Sequence, residues 1–217
     1  MPEIIPAILT DDKQIFKEQV NKAVEFEAKT VQIDFTDGKF VSSKTLLPDE
    51  LDSFVISRSG LIFEAHLMTE QPDQYFPTLY ALGFQRIAAH YQALSEISQT
   101  IAKAKDLGVE FGLAINPEVE LSKIEPFIEK LDFILFLTVV PGEQGHPFVE
   151  STLEKIHLEY LHQLKHKHKD VIIEVDGGVN LSNVKQVIKA GAERIVVGSG
   201  IWRADHPLIA YQKLLQN

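Results

Sequence analysis

Asp34, His66 and Asp176 are the residues of this sequence best suited to moving a proton or holding a cation. Asp34 stands in VQIDFTDGKF (Val31 to Phe40), where an apolar run leads into one acid, then a second acid and a glycine. His66 stands in EAHLM, and Asp176 heads Asp176-Gly177-Gly178. Two carboxylates that reach one substrate from different sides suit proton removal beside a carbonyl on one face and proton return on the other. That is an epimerisation. A carboxylate is a poor base toward a carbon acid unless the enediolate is stabilised by preorganised hydrogen bonds or by a metal. With His66 the two acids form a borderline N/O donor set able to take a divalent metal, Zn, Mn, Fe or Co. Each residue also has a bland reading: a histidine in an apolar run is commonly a satisfied core residue, and Asp37-Gly38 is ordinary turn chemistry.

The elements that must position these groups follow from the apolar runs. Strands are predicted at Ile4 to Leu9, Thr30 to Phe35, Leu61 to Met68, Phe84 to Ala89, Glu110 to Ile115, Leu131 to Val139, Val171 to Val175 and Arg194 to Val197. Helices are expected between them: one capped by Thr10-Asp11-Asp12, a short one about Pro48 to Ile56, one from near Pro72, and one from Leu94 to Ala104. Others are expected from Glu118 through Ile128, about Val149 to Lys167, from a Ser182 cap to Ala190, and from Asp205 to Leu215. The strand runs are continuous rather than alternating, as in a parallel sheet covered on both faces. Strand and helix alternate eight times without a linker, which predicts an α/β fold, a (β/α)8 TIM barrel, with residues 1–217 as a single domain. In such a barrel the functional groups sit at the C-terminal strand ends, so Asp34, His66, Asn116, Asp176 and Ser199 should share one mouth. Asp34 and Asp176 are then three strands apart around the ring, roughly 135°.

Three stretches have the makings of an anion cradle. The loop from Gly142 to Gly145, the pair Gly177-Gly178 and the step Gly198-Ser199 lack bulky side chains, so their N–H groups can approach a phosphate. Phosphate commonly sits by the loops after the seventh and eighth barrel strands. A phosphorylated small molecule is the expected ligand. The formal charge of -10 argues against nucleic acid and against an anionic membrane surface, so such an anion must be held by local donors. The absence of cysteine excludes disulfides and thiolate sites. MPEIIPAIL lacks the pattern of a secretory signal, and the longest apolar run, Phe133 to Val140, is far below the roughly 18 residues of a membrane span. A soluble cytoplasmic protein is expected.

Seven segments, PAILTDD, IDFTDGKFV, EAHLM, INP, TVVPGEQGHPF, EVDGGV and VVGSGIW, resemble the ribulose-phosphate 3-epimerase family, in order and over nearly the whole length. The resemblance implies a (β/α)8 barrel that interconverts D-ribulose 5-phosphate and D-xylulose 5-phosphate through an enediolate, with Asp34 and Asp176 as the acid and base pair. It implies a divalent metal held by those two carboxylates and two histidines, one of them His66. It also implies a homo-oligomer, a dimer or a hexamer.

The departures fall on the chemistry. Gln32 occupies the position of the family's first histidine ligand, leaving Asp34, His66 and Asp176 as a three-ligand set. Its amide offers instead a hydrogen bond to a developing oxyanion. Ala7 stands where the family has a small hydroxyl, and Thr36 and Leu137 stand where methionines are expected; Met68 is retained. These changes leave open an epimerase for a six-carbon ketose phosphate such as allulose 6-phosphate, or a phosphosugar-binding protein with weakened catalysis. A lyase of the related superfamily, marked by Asp-x-Lys-x-x-Asp on the second strand, is disfavoured because Thr36 and Lys39 occupy its Lys and second Asp positions. His146 in the glycine-rich loop reads as phosphate contact or solvation. His157, His162, His166 and His168 lie among lysines at no metal-binding spacing and read as surface.

Overall fold

β-Branched and aromatic runs pair in parallel only if their side chains are covered on both faces, and in the computed structural model they close into a ring. The structure describes residues 1–139, 148–156 and 171–217. The strands are β1 (Glu3–Ile8), β2 (Thr30–Thr36), β3 (Ile62–Met68), β4 (Arg86–His90), β5 (Glu110–Ile115), β6 (Phe133–Leu137), β7 (Ile172–Asp176) and β8 (Arg194–Val197). They pair in sequence order, and β8 returns to β1 with Ile4 opposite Ile195. The helices are α1 (Lys13–Glu25), α2 (Ser53–Ser59), α3 (Phe76–Leu82), α4 (Ile97–Leu107), α5 (Ser151–Ile156), α6 (Val184–Ala190), α7 (Ser199–Trp202) and α8 (Pro207–Leu215). The (β/α)8 barrel read from the sequence is therefore the fold. None of its described helices is long and apolar enough to cross a membrane.

Alternation along each strand divides the core in two. The outward residues Val31, Ile33, Phe35, Phe63, Ala65 and Leu67 join the helix faces, including Phe16, Val20 and Leu79, in one large cluster. Inside the ring a second, smaller cluster comprises Ile5, Ala7, Ala88, Ala114, Phe133, Leu135, Leu137 and Val196. Its packing depends on Gly112, which lies opposite Phe133; a Cβ there would sit 2.4 Å from the phenyl ring. The rest of the interior is polar, with Gln32, Asp34, Glu64, His66, His90 and Glu174 buried. The continuous apolar runs thus conceal an inner face that is in large part ionisable.

Several connections differ from expectation. Between β5 and β6 the chain forms two 3-10 segments, Leu121–Lys123 and Glu125–Lys130, instead of one helix through Ile128. Pro126 is the reason, since inside an α-helix it lacks a donor and its ring collides with the carbonyl four residues back. The Pro48 segment splits into a 3-10 turn, Pro48–Glu50, and α2, whose cap is Asp52 through its bond to the Phe54 N–H. Leu94 ends a 3-10 turn and α4 starts at Ile97. Ser182 does not cap α6; its hydroxyl donates to Asn180 Oδ1 at 2.6 Å, and Asn183 is the cap residue. Asp12 does cap α1, accepting from the N–H groups of Gln14 and Ile15 at 2.6 and 3.1 Å. Of the helix expected over 149–167, α5 is the described part.

The seam of the ring is fastened by aromatic side chains. Trp202 donates its indole N–H to the Ala7 carbonyl at 2.6 Å and stacks on Phe26, which also stacks on Tyr211. Sequence order thus brings α7 and α8 back against the start of the chain.

Candidate active site

The strand register places Asp34 beside His66, and Asp176 beside Leu137, at the C-terminal ends of β2, β3, β7 and β6. The end of β2 is pinned by Thr45, whose hydroxyl donates to the Asp34 carbonyl at 3.0 Å and accepts from the Thr36 N–H at 2.9 Å. The end of β7 is pinned by Thr138, which donates through its hydroxyl to the Gly177 carbonyl and through its N–H to the Asp176 carbonyl. Asp37, by contrast, serves the turn. Its carboxylate accepts from the N–H groups of Lys39, Phe40 and Glu70, and these donors outweigh burial to lower its pKa.

Four side chains converge between the pinned strands. His66 Nδ1 lies 3.2 Å from Asp34 Oδ1 and 3.4 Å from Asp176 Oδ2. The Gln32 amide nitrogen donates to the same two oxygens, at 2.8 and 2.9 Å. Both amide protons are engaged by carboxylates, which leaves neither for a substrate oxygen. Asp34 Oδ2 and Asp176 Oδ1 have no hydrogen-bond partner among the described residues.

Electrostatics follow from this packing. Burial, reinforced by the charge of Asp176, raises the Asp34 pKa to about 6 against the lowering effect of His66 and Gln32. Burial opposes charge on His66 as well, yet the hydrogen bonds it donates to Asp176 and Asp34 prevail and raise its pKa to about 9. On the far side of that ring, His66 Nε2 lies 2.9 Å from His90 Nε2, and the two imidazoles stack with centroids 5.0 Å apart. Burial and the His66 charge push His90 well below the ordinary histidine range. Beneath the site lie Glu64 and Glu174, which face Arg86 at 3.7 Å and Arg194 at 3.6 Å respectively. Burial raises the pKa of both carboxyls.

A cation fits the donor set. Asp34, His66 and Asp176 offer three ligand atoms within 4.8 Å of one another. Gln32 Oε1 is buried without a partner, so turning the amide over would present an oxygen, a weak fourth ligand, where its nitrogen now binds both acids.

The remaining expected residues divide by position. Ala7 is buried opposite Gln32, and Met68 is buried opposite Thr36. Gly177 and Gly178 form a turn with φ of +119° and +63°, held by Asn180 and Asn183 amides on the Gly178 carbonyl. A Cβ on Gly177 would lie 2.6 Å from Val139, so glycine is required there twice over. Gly198 and Ser199 open α7. Gly142, Gly145 and His146 lie outside the described residues, as do His157, His162, His166 and His168. Sequence reasoning did not single out His90, although period-two spacing from Arg86 through Ala88 already sets it on the inner face at a strand end.

Comparison with known proteins agrees with this geometry. The family model described as the ribulose-phosphate 3 epimerase family matches residues 3–202. Ribulose-phosphate 3-epimerase of Aquifex aeolicus is 34% identical over 205 residues, 94% of this chain and 91% of that protein. The Bacillus subtilis enzyme of the same name is 34% identical over 203 residues, covering 93% of each. Among solved structures, a tryptophan synthase of Mycobacterium tuberculosis superposes with a TM-score of 0.73 over 99% of this chain and 91% of that one. At 14% identity that likeness concerns the fold alone. The chain therefore belongs to the ribulose-phosphate 3-epimerase family and is an isomerase of that family.

Proposed function

We propose that the protein interconverts D-ribulose 5-phosphate and D-xylulose 5-phosphate by proton transfer at C3 between two carboxylates, Asp34 and Asp176. The observation that carries this reading is their convergence, from strands on either side of the β1–β8 seam, on one imidazole and one amide, each with an oxygen left over. One ionised carboxylate takes the C3 proton, leaving an enediolate, and the other acid returns a proton to the opposite face. Asp34, with its pKa near 6, changes protonation close to neutral pH, as a group that alternates between acid and base must. His66 holds both carboxylates in register through Nδ1, and Gln32 holds the same pair from the barrel interior. When a divalent cation is bound by Asp34, His66 and Asp176, it supplies Lewis-acid stabilisation of the enediolate oxygens. The phosphate is taken by the backbone N–H groups of Gly177, Gly178, Gly198 and Ser199, together with the Gly142–Gly145 loop.

The test is solvent exchange. Purified protein is incubated in deuterated water with ribulose 5-phosphate or allulose 6-phosphate, with and without added Zn²⁺, and C3 deuteration is followed by NMR. Deuterium at C3 of the pentose, with xylulose 5-phosphate appearing, is expected. Asp34→Asn and Asp176→Asn should each lower the rate about 10²- to 10⁴-fold. Exchange confined to the six-carbon sugar would move the substrate to that class, and tight binding without exchange would make the protein a binder.

A further inference from the structure

Two buried polar atoms behind the candidate ligands lack partners, His90 Nδ1 and Asn116 Oδ1. His90 pairs with Ala114 in the strand register, so Asn116, two residues further on, lies on the same face just past the end of β5, and its amide nitrogen is committed to Glu118 at 3.3 Å. The oxygen is therefore the atom it offers to the imidazole. A His90 protonated on Nε2 would set a ring lone pair against that oxygen, acceptor against acceptor. Protonated on Nδ1 instead, it can donate toward Asn116 and satisfy both buried atoms at once. His90 Nε2 is then a lone pair, and the His66 Nε2 atom 2.9 Å away has to be the donor.

We infer that Asn116 and His90 act as positioning residues that lock the His66 ring, through Nε2–H donation to His90, so that Nδ1 alone is left to face Asp34 and Asp176. The consequence is that Nδ1 is the ring atom aimed at the space between the two acids, where a cation would sit. A neutral His66 donating from Nδ1 is excluded, because Nε2 and His90 would then present two lone pairs to each other. Ligand histidines ordinarily donate their second N–H to a carboxylate, carbonyl or water. Here the acceptor is a second imidazole, whose own orientation is set by an asparagine. Phe40, packed on His90 at 4.8 Å, keeps that ring in place.

The inference rests on the proposed function only for the identity of the site, and its test does not depend on turnover. Histidine-¹⁵N NMR on the whole protein, metal-free and with Zn²⁺, should show His90 protonated on Nδ1 and bare on Nε2 in both states. His66 should keep its Nε2 proton throughout and lose only the Nδ1 proton as Zn²⁺ binds. Chelator competition should find Zn²⁺ binding weakened about 10- to 100-fold by His90→Leu and largely restored in His90→Gln, which keeps an acceptor. Asn116→Leu should move part of the His90 population to the Nε2-protonated form, and Asn116→Asp should not. A His90 protonated on Nε2 in the unmodified protein would overturn the inference, as would unaltered Zn²⁺ affinity in folded His90→Leu or a failure of the unmodified protein to bind Zn²⁺. Correct tautomers without exchange of ribulose 5-phosphate would instead sink the substrate assignment and leave the relay standing.

Discussion

Gln32 donates to Asp176 at 2.9 Å across 144 positions of chain, and its nitrogen also holds Asp34 at 2.8 Å. A neutral amide thus stands between two acids that would otherwise meet with only His66 to separate them. Replacing it with imidazole adds a nitrogen ligand to a three-donor set. Gln32→His should tighten Zn²⁺ binding about tenfold or more, roughly 1.4 kcal/mol, by chelator competition. Unchanged affinity with intact folding would show that Gln32 does not limit the site. Gln32→Leu removes a donor that lowers the Asp34 pKa, so the acid limb of the pH–rate profile should move upward from about 6.

The pH response of the metal-free protein has a definite sign. His66 is raised from 6.5 to about 9, so the folded state holds a proton that the unfolded chain releases. That stabilisation is complete below pH 6.5 and is lost as the pH rises through 9. Asp34, raised from 3.8 to about 6, behaves alike: its contribution is complete below 3.8 and gone above about 6. Urea unfolding of chelated protein should therefore show these two groups lowering stability across both windows. Because Zn²⁺ must displace the His66 proton, its apparent affinity should climb about tenfold per pH unit until roughly pH 9. An affinity flat between pH 7 and 9 would contradict the raised His66 pKa.

If the phosphate is held by backbone donors at the start of α7, its binding should be sensitive to added negative charge. Ser199→Asp is expected to raise KM for ribulose 5-phosphate about tenfold or more and to change kcat little. An equal loss in both constants, or none in KM, would place the phosphate elsewhere.

Gly112 and Phe133 form a fitted pair inside the ring, with a Cβ at residue 112 only 2.4 Å from the phenyl. Gly112→Ala should cost about 1–3 kcal/mol by overpacking. Phe133→Leu in the same chain should recover part of that loss, a coupling readable in a double-mutant cycle by thermal unfolding.

The barrel was legible because its helix-covered strands read as apolar runs at regular intervals, and Asp34, His66 and Asp176 were legible because strand ends are where such barrels keep polar groups. What escaped was the inner face. Arg86, Glu64, Glu174 and His90 sit in strands whose outward residues are apolar enough to mask them, and their mutual pairing depends on register between strands far apart in sequence. Pro126 lies inside the helix expected from Glu118 through Ile128, and a single missing N–H was enough to turn it into 3-10 turns. Thr45 gave no signal, since a hydroxyl that pins a strand end looks like any other loop threonine, and Thr138 read only as part of the sixth apolar run.

Trp202 is the only tryptophan of the chain, and its N–H reaches Ala7 across the join between the last strand and the first. The two carboxylates sit on opposite sides of that join, so neither finds the other until it is shut. Indole fluorescence at this one position consequently follows ring closure during refolding and supplies an optical clock for the moment at which the acid pair comes into being.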